Sequence, residues 1–399
     1  MVSHEMLGAG RVRSTIRELF EYGRHRAQEV GEENVFDFSL GNPSVPPPRE
    51  VTDAFINLLT TSDPMAIHGY TSAPGDNRTR DAIAASLNRR FGTQFSRRNL
   101  YLTCGAAAAL TSTFRALTTD AKTEFIALAP FFPEYSFFAT TAGATLRVVE
   151  ADTQHFQIDF DKLERTINQH TQGVIINSPN NPSGVIYSKE TLVRLSGLLR
   201  KKSAEYGHPV YLIADEPYRE LSYLDEPAPF ITELYDCAIV CYSYSKSFSL
   251  PGDRIGYVLL GNGMPDFDDV FDAIAGSARV QGYVCAPAIL QRVVQRCSEQ
   301  DVLPDLTIYR KNRDALYNAL SEIGYRCIPP DGAFYLFVEA PNGDGDAFSE
   351  LAKQEDILVV SGRSFGCPEF VRISYCVGHD TILRAMPGFK RLFERIRAK

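Results

Sequence analysis

Short apolar runs alternate with longer amphipathic stretches through most of this chain. The runs at 100–102, 123–129, 145–150, 173–177, 210–214 and 238–242, with a glycine-bounded run from Gly256, read as strands. Between them the spacing of apolar positions predicts helices at about 49–59, 76–91, from Gly105 onward, 133–142, 160–167 and 189–206. Strands that are nearly continuous in apolar residues are covered on both faces, and this β/α alternation makes a mainly parallel sheet. From about residue 301 the texture changes. A charged helical pattern to 323 leads into strands at 332–338, 357–360 and 370–375, with helices at 346–354 and 380–397. At the other end, 11–30 is helix-friendly, and 35–40 alternates before stopping at Gly41-Asn42-Pro43. Pro46-Pro47-Pro48 then enforces an extended crossing segment. The expected fold class is α/β. A large domain over 49–300 carries the mainly parallel sheet with helices on both faces, and 1–48 with 301–399 form a smaller α+β domain.

Composition narrows the function classes. The 399 residues are 44% hydrophobic and 23% charged, an ordinary globular balance. A net charge of -8, with no lysine/arginine-rich run long enough to offset it, argues against a nucleic-acid partner. The eight cysteines form no C-x-x-C pair and several lie in apolar runs, which points to reduced core thiols. The seven histidines show no metal-ligand spacing, so no metal is expected. The first ten residues lack a signal-peptide layout, and no apolar stretch approaches the roughly 20 residues of a membrane span. The expected location is cytoplasmic.

The candidate chemistry gathers after the run 238–242, in Ser243-Tyr244-Ser245-Lys246 with Arg254 and Gly256-Tyr257 following. Small hydroxyls and a guanidinium both match phosphate oxygens. A lysine beside them points to a Schiff base with a phosphorylated aldehyde, pyridoxal 5′-phosphate. Ligands of open α/β sheets lie beyond the carboxyl ends of the strands, and three further segments fall there. Gly105, Ala106 and Ala107 would offer backbone N–H groups and a helix N-terminus to the phosphate. Asp215 would pair with the pyridine nitrogen and keep it protonated, while Asn181 and Tyr218 would donate to the phenolic oxygen. Phe132 would stack on the ring. Taken singly, these residues read more plainly as a helix start, an N-cap, a core aromatic and a surface lysine. Four segments converging on one crevice favour a site.

These motifs make the chain resemble the class I/II aminotransferases, fold-type I pyridoxal-phosphate enzymes. The matching residues are Asn181-Pro182-Ser183-Gly184, Asp215-Glu216-Pro217-Tyr218, Ser243-x-Ser245-Lys246 with Arg254-x-Gly256-Tyr257, and Arg372-x-Ser374. Gly41-x-Pro43, Tyr70 with Pro74-Gly75, and Gly332-Ala333-Phe334-Tyr335 agree with them, in the family's order over about 35–380. The resemblance implies that Lys246 carries the cofactor and then shuttles the substrate proton. It implies that Arg372 holds the substrate α-carboxylate, that Gly41 and Asn181 approach the substrate, and that the Asn181-Pro182 bond is cis. Tyr70 would reach the phosphate of a neighbouring subunit in a homodimer with shared active sites. Two departures stand out. Alanines 106–109 replace the usual phosphate-binding hydroxyl, and Phe132 stands where relatives stack tyrosine or tryptophan. The expected activity is ping-pong transamination between an amino acid and a 2-oxo acid. A β-eliminating C–S lyase, a cyclopropane-forming synthase and a non-catalytic amino-acid-sensing regulator remain as alternatives on the same scaffold. Arg279 is the one cation noted for a substrate's second carboxylate, and it reads equally as a surface residue.

Overall fold

The computed structural model describes residues 2–11, 15–226 and 230–398. Residues 12–14 of the expected helical stretch 11–30 lie outside it. The strands, in chain order, are β1 (Phe36–Asp37), β2 (Leu100–Thr103), β3 (Glu124–Leu128), β4 (Thr145–Val149), β5 (Thr171–Asn177) and β6 (Tyr211–Asp215). They continue as β7 (Ala238–Ser243), β8 (Gly256–Leu260), β9 (Tyr335–Glu339), β10 (Ile357–Leu358), β11 (Val360–Ser361) and β12 (Phe370–Ser374). Seven of them form the main sheet in the order β2-β8-β7-β6-β5-β3-β4. β3–β4, β3–β5, β5–β6 and β6–β7 pair parallel, and β8 runs antiparallel to both its neighbours. Every residue of β2, β3, β6, β7 and β8 is buried, as the unbroken apolar runs require of a sheet covered on both faces.

The covering helices start where the sequence supplies caps. Ser188 accepts from the Thr191 N–H ahead of the helix Lys189–Tyr206, and Asp76 from Thr79 N–H ahead of Asn77–Phe91. The helical pattern expected from 301 begins only at Thr307, because Pro304 interrupts it and Asp305 Oδ1 accepts from Thr307 N–H at 2.9 Å. The run 357–360 is two strands. β10 pairs parallel with β1, while β11 joins β12 and β9 in an antiparallel sheet.

Two large cores result. One spans the main sheet and its helices and takes in Phe337, Cys367 and Phe370. The other joins Phe38 to residues between Tyr309 and Phe393, and it recruits Tyr218, Leu221 and Tyr223 from the turn after β6. That turn therefore touches both bodies. Among the described residues no helix is long and apolar enough to cross a membrane, and all eight cysteines are free.

Candidate active site

The carboxyl ends of β2, β3, β5, β6 and β7 share one edge of the main sheet, and a cavity of about 300 Å³ opens above it. The chain leaving those ends brings Ala106, Ala107, Phe132, Asn181, Asp215, Tyr218, Ser243, Ser245 and Lys246 to its walls. β8 runs the other way, so its start lies at the same edge and carries Arg254 there. The smaller body closes the space with Gly41, Tyr335 and Arg372. Twelve of the expected residues thus line one cavity. Gly105, which precedes Ala106 in the chain, does not line it. Tyr70 is fully exposed and does not enter it.

Asp215 ends β6 on the innermost side. Its Oδ2 accepts from the Tyr135 hydroxyl at 2.6 Å, while Oδ1 is buried without a hydrogen-bond partner among the described residues. Burial pushes the carboxyl up to about 7, with Glu216 adding to the rise and the Tyr135 bond opposing it. No helix follows Asp215, so the N-cap reading is excluded.

Lys246 lies half-buried in the short helix Tyr244–Ser247, where Ser243 Oγ caps Ser245 N–H at 3.2 Å. Its Nζ donates to Gly41 O at 2.6 Å. Burial pushes the amine down to about 8; Cys376 opposes this, while Arg372 and Arg254 add to it. Gly41 has no room for a side chain, since a Cβ there would collide with the Tyr335 hydroxyl.

An anion cradle stands at one end. The helix Ala106–Leu117 opens at Gly105 with no side-chain cap, which leaves its first N–H groups to a ligand. Gly105 has φ 86° and ψ 176°, a region nearly closed to other residues, and a Cβ there would lie 2.6 Å from Arg254 Nη2. Arg254 is itself held at φ 58°, with Nη1 donating to Ser245 Oγ at 3.2 Å and to Pro251 O at 3.0 Å. Ser243 Oγ and Ser245 Oγ are 2.7 Å apart.

Arg372 is no surface residue. It is buried on β12, 4.5 Å from the Tyr335 ring centre, with Nη2 donating to Ser39 O at 2.6 Å and Nη1 to Asn181 Oδ1 at 3.0 Å. Its Nε has no partner among the described residues. Asn181 N–H is fixed by Asn177 Oδ1 at 2.7 Å, and the Asn181-Pro182 peptide is cis. With Asn181 Oδ1 turned to Arg372, its amide NH₂ is left to donate elsewhere. The Tyr218 hydroxyl meets that of Tyr335 at 3.0 Å.

Sequence reasoning missed Tyr135 and Asn177 as supports, and Ile16 and Leu40 as walls. None of them carries a motif: Tyr135 acts through a partner 80 residues away, Asn177 reads as an ordinary strand end, and Ile16 and Leu40 are plain apolar positions. Arg279 is exposed in the last turn of the helix Phe267–Val280 and does not line the cavity; the described cations that do are Lys246, Arg254 and Arg372.

A half-buried lysine, a buried carboxyl with one oxygen unpartnered and an uncapped helix N-terminus thus meet in one cavity at the carboxyl edge of a mainly parallel sheet. The sequence pattern described as "Aminotransferase class I and II" matches residues 33–386, and the chain belongs to that family. An aminotransferase from Eubacterium rectale, known from its crystal structure, is 55% identical and superposes with a TM-score of 0.97 over 99% of each chain. Aspartate aminotransferase of Thermotoga maritima is 28% identical over 359 residues, which cover 89% of this chain and 90% of that protein. The crystal structure of an aspartate aminotransferase from Thermotoga maritima, at 26% identity, gives a TM-score of 0.85 over 98% of this chain and 100% of that one. Aspartate aminotransferase of Thermus thermophilus, at 23% identity, shares the fold with a TM-score of 0.83 over 98% and 100% of the two chains. The protein is an aminotransferase of the α/β fold, and the lyase, synthase and regulator alternatives are not favoured.

Proposed function

We propose that the cavity binds pyridoxal 5′-phosphate and that the enzyme exchanges the amino group of an L-amino acid with a 2-oxo acid in two half-reactions. The observation that carries the assignment is Asp215. A buried carboxyl with one oxygen unpartnered, in the same cavity as a lysine of lowered basicity, suits a ligand with a ring cation and an aldehyde. The uncapped helix at Gly105 suits its phosphate.

When bound, the cofactor supplies an electron sink that lets the Cα–H bond of an attached amino acid break. The residues do the rest. The N–H groups of Ala106 and Ala107, with Ser243, Ser245 and Arg254, would hold the phosphate, and Phe132, which lines the same cavity, would pack against the cofactor. Asp215 would hold the ring nitrogen as a cation, while Tyr135 fixes the carboxylate's other oxygen. Asn181 and Tyr218 would donate to the phenolic oxygen. Arg372 binds the substrate α-carboxylate, kept in register by Asn181 and Ser39. Lys246 Nζ, with its basicity brought towards neutral pH, would move the proton between the substrate Cα and the cofactor's former aldehyde carbon across the amino nitrogen.

The same reading makes the enzyme a homodimer, with the exposed Tyr70 completing a partner's phosphate site. The free cysteines support a cytoplasmic location. The two cores support a division into 49–300 and 1–48 with 301–399. Borohydride reduction of the cofactor-loaded enzyme should fix a pyridoxyl mass on the peptide carrying Lys246. Lys246→Ala should carry no such mass and lose at least about a thousandfold in turnover. Retention of turnover by that variant would overturn the assignment.

A further inference from the structure

Three polar residues of the cavity are each followed by one that turns away into a single buried cluster. Asp215 is followed by Glu216, Tyr218 by Arg219 and Lys246 by Ser247, and all three followers are buried. Arg219 is the hub. Its Nε donates to Glu216 Oε2 at 2.5 Å and its Nη1 to the Tyr257 hydroxyl at 2.8 Å. The guanidinium carbon lies 4.7 Å from the ring centres of both Phe230 and Tyr242. Tyr242, stacked on Tyr257 at 4.8 Å, donates to Glu220 Oε2 at 2.6 Å and meets Ser247 Oγ at 2.9 Å. Glu220 Oε1 in turn accepts from Arg90 at 3.0 Å. Beside Arg90, Glu220, Tyr242, Ser247 and Tyr257 lies a cavity of about 20 Å³, room for one water.

Two carboxylates and two guanidiniums balance in this cluster, yet buried ion pairs contribute little net stability compared with apolar side chains of the same size. Their geometric selectivity is larger, because a planar guanidinium clamped by rings and two acceptors has one position. The anchor points are informative. Glu216 and Arg219 bracket the turn that presents Asp215 and Tyr218, and Ser247 adjoins Lys246 in the chain.

We propose that Arg219 is a positioning residue for amino transfer, whose caged guanidinium fixes the turn 215–218 and, through the Tyr257–Tyr242–Ser247 side of the cluster, the helix that carries Lys246. The inference rests on the roles given above to Asp215 and Lys246. It predicts that the cluster governs the spacing of those groups across the cavity rather than merely the stability of the fold.

Two variants and a control test this in the pyridoxal-phosphate-loaded enzyme. Arg219→Lys keeps a cation beside Glu216 but loses the planar fork, and Tyr257→Phe removes only the accepting hydroxyl. Tyr325→Phe deletes a buried hydrogen bond to Phe389 O in the other core. Both cluster variants should lower kcat about tenfold with donor KM within about twofold, and weaken pyridoxal phosphate binding about tenfold. They should also shift the pH midpoint of the lysine-bound cofactor's absorbance. Tyr325→Phe should lower Tm and leave the other readouts unchanged. If Arg219→Lys does not fold, Tyr257→Phe decides. A lower Tm in the cluster variants, with kcat, cofactor affinity and spectral midpoint all as in wild type, would overturn the proposal. Wild-type protein that fails to retain pyridoxal phosphate would overturn the cofactor assignment and this inference together.

Discussion

Burial makes Asp215 a poor acid, with its carboxyl at about 7 against an ordinary 3.8. The folded chain then binds this proton more tightly than the unfolded one. The stability it confers is fully present below about pH 4 and is lost as the pH rises to about 7. Lys246 has the opposite sign. Its folded value of about 8 lies below the ordinary 10.5, so burying its charge costs stability at neutral pH, and the cost disappears only as the pH rises towards 10.5. Without cofactor the site is therefore strained near pH 7–8. The cofactor-free Asp215→Asn variant should melt above wild type at pH 8, by at most roughly 4 kcal/mol, and together with it at pH 4. Equal melting of the two proteins at pH 8 would contradict the burial of a carboxyl with one oxygen unpartnered. Lys246, Asp215 and Arg254 were legible in the sequence because each has its own chemical reason to end a strand or follow one. Arg372 was legible only through resemblance, since an arginine in a strand normally faces water. Tyr135 had no local signal at all, because its partner Asp215 is 80 residues away.

At the scale of elements, the apolar strand runs and capped helices were the most legible features. Ser188 and Asp76 announce their helices locally. The helices Phe267–Val280 and Ala288–Glu299 were not assigned from the sequence. Asp266 enters the first in a left-handed conformation without a side-chain cap, and Pro287 precedes the second without one. The last helix runs through Pro387, because Ile382, Ala385, Phe389 and Leu392 bury a continuous stripe that outweighs the lost hydrogen bond. The helices Arg49–Thr61 and Pro64–His68 expose Ile56, Leu59 and Met65 shortly before Tyr70 in the chain, a run of apolar side chains in water that suits a second copy. Sedimentation equilibrium should return about twice 44.4 kDa. Ile56→Glu with Leu59→Glu should shift the enzyme to monomers that bind pyridoxal phosphate more weakly. A wild-type enzyme fully active as a monomer would remove Tyr70 from the site.

For the whole molecule, the decisive arrangement is that two bodies share one cavity. The main sheet brings Lys246, Asp215, Arg254 and the helix at Gly105, and the smaller body brings Arg372, Tyr335 and Gly41. Arg372 reaches back to Asn181, and Lys246 reaches across to Gly41. In the proposed reading Arg372 would hold the substrate carboxylate and Lys246 would carry the proton, the two groups a two-step amino exchange needs. The most direct test is the isolated first half-reaction, run with a panel of amino donors and no acceptor on the cofactor-loaded enzyme. A productive donor should release one 2-oxo acid per subunit and no ammonia, and a second 2-oxo acid should then restore the starting absorbance. Continuous release of 2-oxo acid with ammonia, or no release from any donor, would contradict amino transfer.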